Sequence, residues 1–326
     1  MLMRRLELNK AERLQVYDEI DVKEETRALT PLEFQDLTLK IKKSKCYNEF
    51  MMNKSIASYR NTMGYIKQEG LLENLYIAIV DSGWSGSMQR SLRQLMEREG
   101  YCGDIVGFYF GLFNAPKEKK DGEYESFYFN VFNNMKNKLY FDNTLFECML
   151  SAPHGMTVGF SFKDGKYEPI FKENMNEDRL DFICEQITGV MKYAEQKVKT
   201  LKQGYVWTKS VDKVYKILKR AMIFPTKDET EAYCKFEFCD DVSEAIPRTL
   251  IQKNMLLMLK NYMLIPKVIA KLLHKDDLPI DDVFWPYGTI SYFKYPMRLW
   301  CRWNIVALQF LRYMRTAIKE KRRISK

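Results

Sequence analysis

The stretch from Leu75 to Phe110 constrains the fold more than any other part of the chain. Leu75 to Val80 is a short, uniformly apolar and β-rich run, which predicts a strand buried on both faces. Asp81-Ser-Gly-Trp-Ser-Gly-Ser87 follows at once with the composition of a turn. Met88 to Arg98 is amphipathic, with Leu92 and Leu95 on one side and Arg90, Arg93 and Arg98 on the other. Gly103 then leads into a second apolar run, Ile105 to Phe110. Strand, helix and strand at this spacing make a βαβ unit whose strands are expected to be parallel neighbours. The expected class is α/β. A Rossmann-like βαβ core with parallel strands fills residues 71–172, behind a helical N-terminal lead over 1–70. A mainly helical C-terminal region covers 173–326 and ends in a basic helix.

The flanking segments fit this division. Thr30-Pro31-Leu32-Glu33 carries an N-cap, a proline at the first helical position and a carboxylate two residues further on, a helix start. A further helix is expected from Met52 to Gln68, ending at Gly70. Ala115 to Glu125 is polar and lysine-rich, a loop before aromatic segments around Tyr124–Phe132 and Leu139–Phe141. A helix is expected over Asn143–Leu150, and Asp164-Gly165 between Val158–Phe162 and Tyr167–Ile170 signals a β-hairpin. Helices are expected over Glu177–Lys202, Val206–Arg220, Leu250–Leu273 and Pro296–Lys321.

Composition narrows the function classes. A hydrophobic fraction of 46% supports a real core and excludes a disordered chain. The seven cysteines form no CxxC pair and there are only two histidines, so no metal site is assigned and buried reduced thiols are expected. Met1 to Arg5 runs into a charged helical pattern with no apolar segment behind it, so no secretory signal is expected. The net charge of +9 is crowded into the last stretch, Arg298 to Lys326. A basic face throughout is thus lacking, which speaks against nucleic acid as a partner. The aromatic and basic C-terminal helix instead makes an anionic membrane surface a candidate partner.

The turn after Val80 is the candidate binding site. Gly83 and Gly86 let backbone approach a ligand, and the helix that follows offers free N–H groups and a positive dipole end to an anion. Ser82, Ser85 and Ser87 add hydroxyls, Gln89 an amide and Trp84 a ring that either plugs the core or stacks on a sugar. Asp81 and His154 are the candidate catalytic residues: Asp81 for sugar hydroxyls or a metal-bridged phosphate, His154 as a base for an acceptor hydroxyl or a cation for a diphosphate, oriented by Glu147. Trp285, in Trp-Pro-Tyr-Gly288, is either a packed turn or a sugar platform, and no role is given to His274, Asp281 or Asp282.

The order strand, acid, Gly/Ser loop, helix is similar in outline to the phosphate loop of type I phosphoribosyltransferases. Those enzymes carry two adjacent acids, whereas Ser82 follows Asp81 here. A closer resemblance is carried by Ala78–Gln89, Gly107–Leu112, Leu150–Gly155 with Gly159, and Trp285–Gly288, in that order. These segments resemble the region that follows the HAD-hydrolase-like domain in proteins of bacterial capsule, O-antigen and exopolysaccharide gene clusters. The hydrolase part has no counterpart in this chain: residues 1–40 hold no strand ending in Asp-x-Asp, and Gly83 stands two residues after Asp81. The resemblance implies a cytoplasmic protein of surface-polysaccharide assembly, peripheral at the inner face of the membrane. A glycosyltransferase-like chain would bind a nucleotide-sugar or sugar phosphate and a glycan or lipid-linked acceptor. A non-catalytic module would instead dock a HAD-family partner. No cofactor is specified by these residues.

Overall fold

The computed structural model describes residues 8–22, 29–114, 122–172, 177–203, 210–234, 236–238, 248–251, 263 and 283–324. The lead is helical, as expected: α1 (Lys10–Glu19), α2 (Pro31–Lys43) and α3 (Lys45–Gln68). Thr30 caps α2 in a capping box, Oγ1 accepting from Glu33 N at 3.3 Å and the Glu33 carboxylate accepting from Thr30 N at 2.8 Å. Helix α3 begins earlier than Met52 because Ser44 both closes α2 and caps α3. The carboxylate of Glu19 then seats on the α3 N-terminus. It accepts from Ser44 Oγ at 2.5 Å, Lys45 N at 2.6 Å and Cys46 N at 2.9 Å. These bonds, the serine hydroxyl first, hold the Glu19 carboxyl down at about 2.

The central sheet has the order β1-β2-β3, formed by β1 (Tyr76–Trp84), β2 (Asp104–Leu112) and β3 (Glu123–Phe129), all parallel. Helix α4 (Ser87–Arg98) is the crossover from β1 to β2, so the expected βαβ unit is present. Ile77 lies opposite Ile105 and Val80 opposite Phe108. Ile77 and Ile79 pack with Leu92 and Met96 of α4, Met63 and Ile66 of α3, and Ile105.

Strand β1 departs from the sequence reading in two ways. It does not stop at Val80 but runs on to Trp84, with Asp81 opposite Tyr109 and Gly83 opposite Gly111. Nor is it buried on both faces. As the edge strand it packs on α4 through one set of alternate side chains, while Tyr76 and Val80, on the other face, are 79% and 85% exposed.

Beyond the sheet come α5 (Met135–Leu139) and α6 (Asn143–Met149), then the expected hairpin of β4 (Thr157–Lys163) and β5 (Lys166–Phe171). Its turn puts Asp164 and Gly165 at φ 49° and 83°, both left-handed, as a tight type I′ turn requires. The hairpin forms its own sheet against α3, with the Phe160 ring stacked on Tyr65 at 4.3 Å. Helix α7 (Glu177–Lys202) has the expected ends, and α8 (Val211–Ile223) starts where Ser210 caps it. α9 (Lys227–Cys234), the short pair β6 (Glu237–Phe238) and β7 (Arg248–Thr249), α10 (Pro286–Ile290) and α11 (Met297–Ile324) follow. The expected helix Leu250–Leu273 lies almost wholly outside the described residues.

The largest core joins Tyr128, Phe129, Phe141 and Leu145 to Ile183, Met222, Trp285 and Ile305, so residues 71–172 and 173–326 share one interior. The six described cysteines are all free. Among the described residues no helix is long and apolar enough to cross a membrane.

Candidate functional site

The turn between β1 and α4 is much shorter than its composition implies: only Ser85 and Gly86 separate strand from helix. Gly86 is the N-cap, in the left-handed region at φ 63°, and no side chain caps the helix. By contrast α1, α2, α3 and α8 are each closed by the side chain of Asn9, Thr30, Ser44 or Ser210. The first-turn N–H groups of α4 have no acceptor within the helix, and their dipoles sum to a positive end. Ser87 and Met88 are exposed there, and the Ser85 hydroxyl donates to Ser87 Oγ at 3.3 Å. Arg90 adds a half-buried cation in the same turn.

Both glycines are required by the backbone. A side chain on Gly86 would run into the ring of Tyr124, and one on Gly83, at φ 128°, into the carbonyl of Gly111. A larger residue at either position therefore tests folding rather than binding.

Asp81 is half-buried beside this turn. Its Oδ1 accepts from Gly83 N at 3.0 Å and from Ser82 Oγ at 3.4 Å, which folds the carboxylate back on its own strand. Its charge is felt nearby: the Tyr109 hydroxyl is pushed well up, first by burial and then by Asp81. Trp84 has φ 106°, unusual for any side chain, and is held by its surroundings. Its indole N–H donates to the Glu147 carboxylate of α6, and its ring packs against Phe113, Phe141 and Phe146 at 5.4–6.1 Å. Of the two roles open to Trp84, it takes the core plug. Glu147 is raised by burial and, more weakly, by the like charge of Asp81, while the bond from Trp84 opposes the rise.

Two residues assigned to ligand binding are structural instead. Gln89 is fully buried: Nε2 donates to the carbonyls of Ile105 at 3.3 Å and Glu123 at 3.1 Å, and Oε1 accepts from the Tyr109 hydroxyl at 2.9 Å. It pins α4 to β2 and β3 and has no surface to give a ligand. Trp285 is only 1% exposed, and its indole donates to the carbonyl of Met222 at 2.9 Å, so it is a packed turn and not a sugar platform.

His154 is exposed on the hairpin side. Its Nδ1 lies 2.8 Å from the Gly155 carbonyl oxygen and its ring centre 4.1 Å from that of Phe171. Glu147, expected to orient it, bonds Trp84 instead. Among the described residues no contact links His154 to Asp81 or to residues 82–87. His274, Asp281 and Asp282 lie outside the described residues.

No family model and no curated protein sequence matches this chain.

The residues the structure brings together are thus Asp81, Ser82, Trp84, Ser85, Gly86 and Ser87, joined by Glu147 and Arg90. Glu147 could have been paired with Trp84 from the sequence only by knowing how α6 packs, since 63 positions separate them. Among the described residues no group of three or more His, Cys, Asp or Glu could hold a metal ion. At the turn Ser87 and Met88 are exposed, residues 81–85 are half-buried and Gly86 is buried. A separate cleft of about 810 Å³ lies between α3 and α4, lined by Met52, Tyr59, Arg60, Arg98 and Tyr167. A helix N-terminus without a side-chain cap, two serine hydroxyls and a cation suit an anionic group carrying hydroxyls, with the Asp81 carboxylate at one side.

Proposed function

We propose that this chain is a glycosyltransferase-like protein of surface-polysaccharide assembly that binds a nucleotide-sugar or sugar phosphate at the turn from Asp81 to Ser87. One observation carries the reading: an amphipathic helix follows a parallel strand with its N-terminus closed by a glycine and by no side chain. Such an end is a ready seat for phosphate, and in parallel sheets ligands gather at the carboxyl ends of the strands. The Glu19 carboxylate on α3 supplies an internal parallel, an anion seated on a helix N-terminus by backbone N–H groups. The pathway rests on the resemblance of the four segments named above. In this reading the phosphate sits on Ser85–Ser87 with Arg90 beside it, and Asp81 takes a sugar hydroxyl. His154, whose contacts lie on the hairpin, serves as a base only if an acceptor bridges the two places.

Calorimetry with inorganic pyrophosphate and a nucleotide-sugar tests this on three proteins. Wild type should bind both. Asp81→Asn should weaken the nucleotide-sugar more than pyrophosphate. Ser87→Asp should abolish both while the protein stays folded, because a carboxylate in the first turn favours the helix and repels the ligand. Equal affinity in wild type and Ser87→Asp would refute the site.

A second reading is favoured by the exposed apolar side chains Tyr76 and Val80 on the open face of β1. There the chain is a non-catalytic module whose sheet face docks a hydrolase or transferase of the HAD type or its pathway. Phosphoribosyl pyrophosphate binding with magnesium would instead favour a phosphoribosyltransferase-like enzyme.

A further inference from the structure

Among the described residues, helix α11 (Met297–Ile324) is held to the body by one side only. Cys301 and Ile305 are fully buried, Gln309 accepts from the Tyr287 hydroxyl at 3.0 Å, and Tyr313 stacks on Phe113 at 5.5 Å. These contacts fix the rotation of the helix. At 3.6 residues per turn the opposite side carries Trp300, Trp303, Phe310, Leu311, Met314 and Ile318 within an arc of about 100°. All six are exposed, Trp303 to 69%. A core does not leave such a stripe open, and the helix is not apolar enough to cross a bilayer.

The charges beside the stripe select its occupant. Arg315 borders the stripe and Lys321 lies within its arc, and both are exposed in the second half of the helix. Glu320 is the one acid in α11, and it is paired with Arg323 at 2.7 Å. Pairing two copies of α11 along the stripe would set cations against cations, with no acid row to meet them. An anionic lipid surface meets both features at once, since tryptophans settle at headgroup depth and arginines and lysines reach lipid phosphates. From Trp300 to Ile318 the stripe runs about 27 Å, the length of an in-plane interfacial helix.

The geometry points to α11 as a membrane-surface anchor that lies in the plane of an anionic leaflet through its Trp300–Ile318 stripe. This inference is independent of what the Asp81–Ser87 turn binds. The test is co-sedimentation of the full chain with vesicles of phosphatidylcholine alone and of phosphatidylcholine mixed with phosphatidylglycerol. Wild type should pellet with the anionic vesicles, not the neutral ones, and salt should release it. Trp303→Ser with Phe310→Ser, and separately Arg315→Glu with Lys321→Glu, should each weaken binding by at least about tenfold. All four positions are exposed, so circular dichroism should be unchanged. No binding to anionic vesicles would overturn the proposal. So would a wild-type dimer that the Trp303→Ser and Phe310→Ser changes convert to monomer, which would make the stripe a contact between copies. Binding to single-stranded RNA as tight as to vesicles, and indifferent to the stripe, would assign the basic residues to nucleic acid instead.

Discussion

The indole N–H of Trp84 donates to the carboxylate of Glu147, tying the end of β1 to helix α6. Trp84 sits at φ 106°, where a side chain is strained, and this bond together with three aromatic neighbours holds it there. Trp84→Phe keeps most of the packing but leaves the half-buried carboxylate without its donor, which should cost about 1–3 kcal/mol in urea unfolding. Glu147→Gln keeps an acceptor oxygen and should cost less than half as much. The reverse order would mean that the pair does not hold β1 in place.

Asp142 gives the fold a pH dependence. It caps α6, is buried, and burial lifts its carboxyl from the ordinary 3.8 to about 7 despite the bonds from Leu145 and Thr144. A carboxyl raised in the folded state binds its proton more tightly there than in the unfolded chain. Its contribution is therefore full below about 4 and is lost as pH rises to about 7, by up to about 4 kcal/mol. Asp142→Asn can still cap the helix, and it should remove that slope and be the more stable protein at pH 8. Thermal melts from pH 4 to 8 check both points.

Glu19 has the opposite sign. Its carboxyl is held at about 2 by Ser44 and the α3 amides, so its contribution is present above the ordinary 4.5 and lost as pH falls toward 2. Glu19→Gln should lower stability at neutral pH and flatten the acid limb of the unfolding curve.

The two turn glycines of the lead and the site should behave differently. Gly70, at φ 70°, has nothing within 4 Å of an added methyl, so Gly70→Ala should carry only the backbone cost, about 1–2 kcal/mol. Gly86→Ala adds a clash with the Tyr124 ring and should cost about 1–3 kcal/mol more. Urea midpoints of the two variants compare them directly.

Gln89→Leu should be among the more damaging single changes on α4. It removes both donors and the acceptor that connect the helix to Ile105, Glu123 and Tyr109 in the interior, at a cost of about 2–4 kcal/mol. Arg90→Leu, one residue on, should leave stability nearly unchanged and lower anion affinity.

The parts of the fold that were legible in the sequence are those set by short-range chemistry. The spacing of the apolar runs around Leu92 and Leu95 gave a parallel βαβ unit, Thr30 and Glu33 a capping box, and Asp164-Gly165 a hairpin. Of the candidate site, the order strand, turn and helix was legible, but not its backbone or its packing. Asp81 to Trp84 reads as a turn because glycine and serine dominate it, yet β2 continues far enough to pair with it, and Gly83 supplies the dihedral that keeps the strand going. Gln89 reads as polar and outward, and only the carbonyls of β2 and β3 make its burial favourable. Trp285 reads either as a packed turn or as a sugar platform, and Met222, 63 positions away, decides for packing by accepting its N–H. In each case the deciding partner is distant in sequence, and periodicity carries no record of it.

The most direct test of the central claim is an amide chemical-shift titration of the intact chain with inorganic pyrophosphate. The account predicts saturable shifts at the backbone N–H groups of Ser85, Gly86, Ser87 and Met88, absent in Ser87→Asp. Shifts confined to the Arg60 and Arg98 cleft or to the basic end of α11, with Ser85–Met88 unmoved, would contradict it.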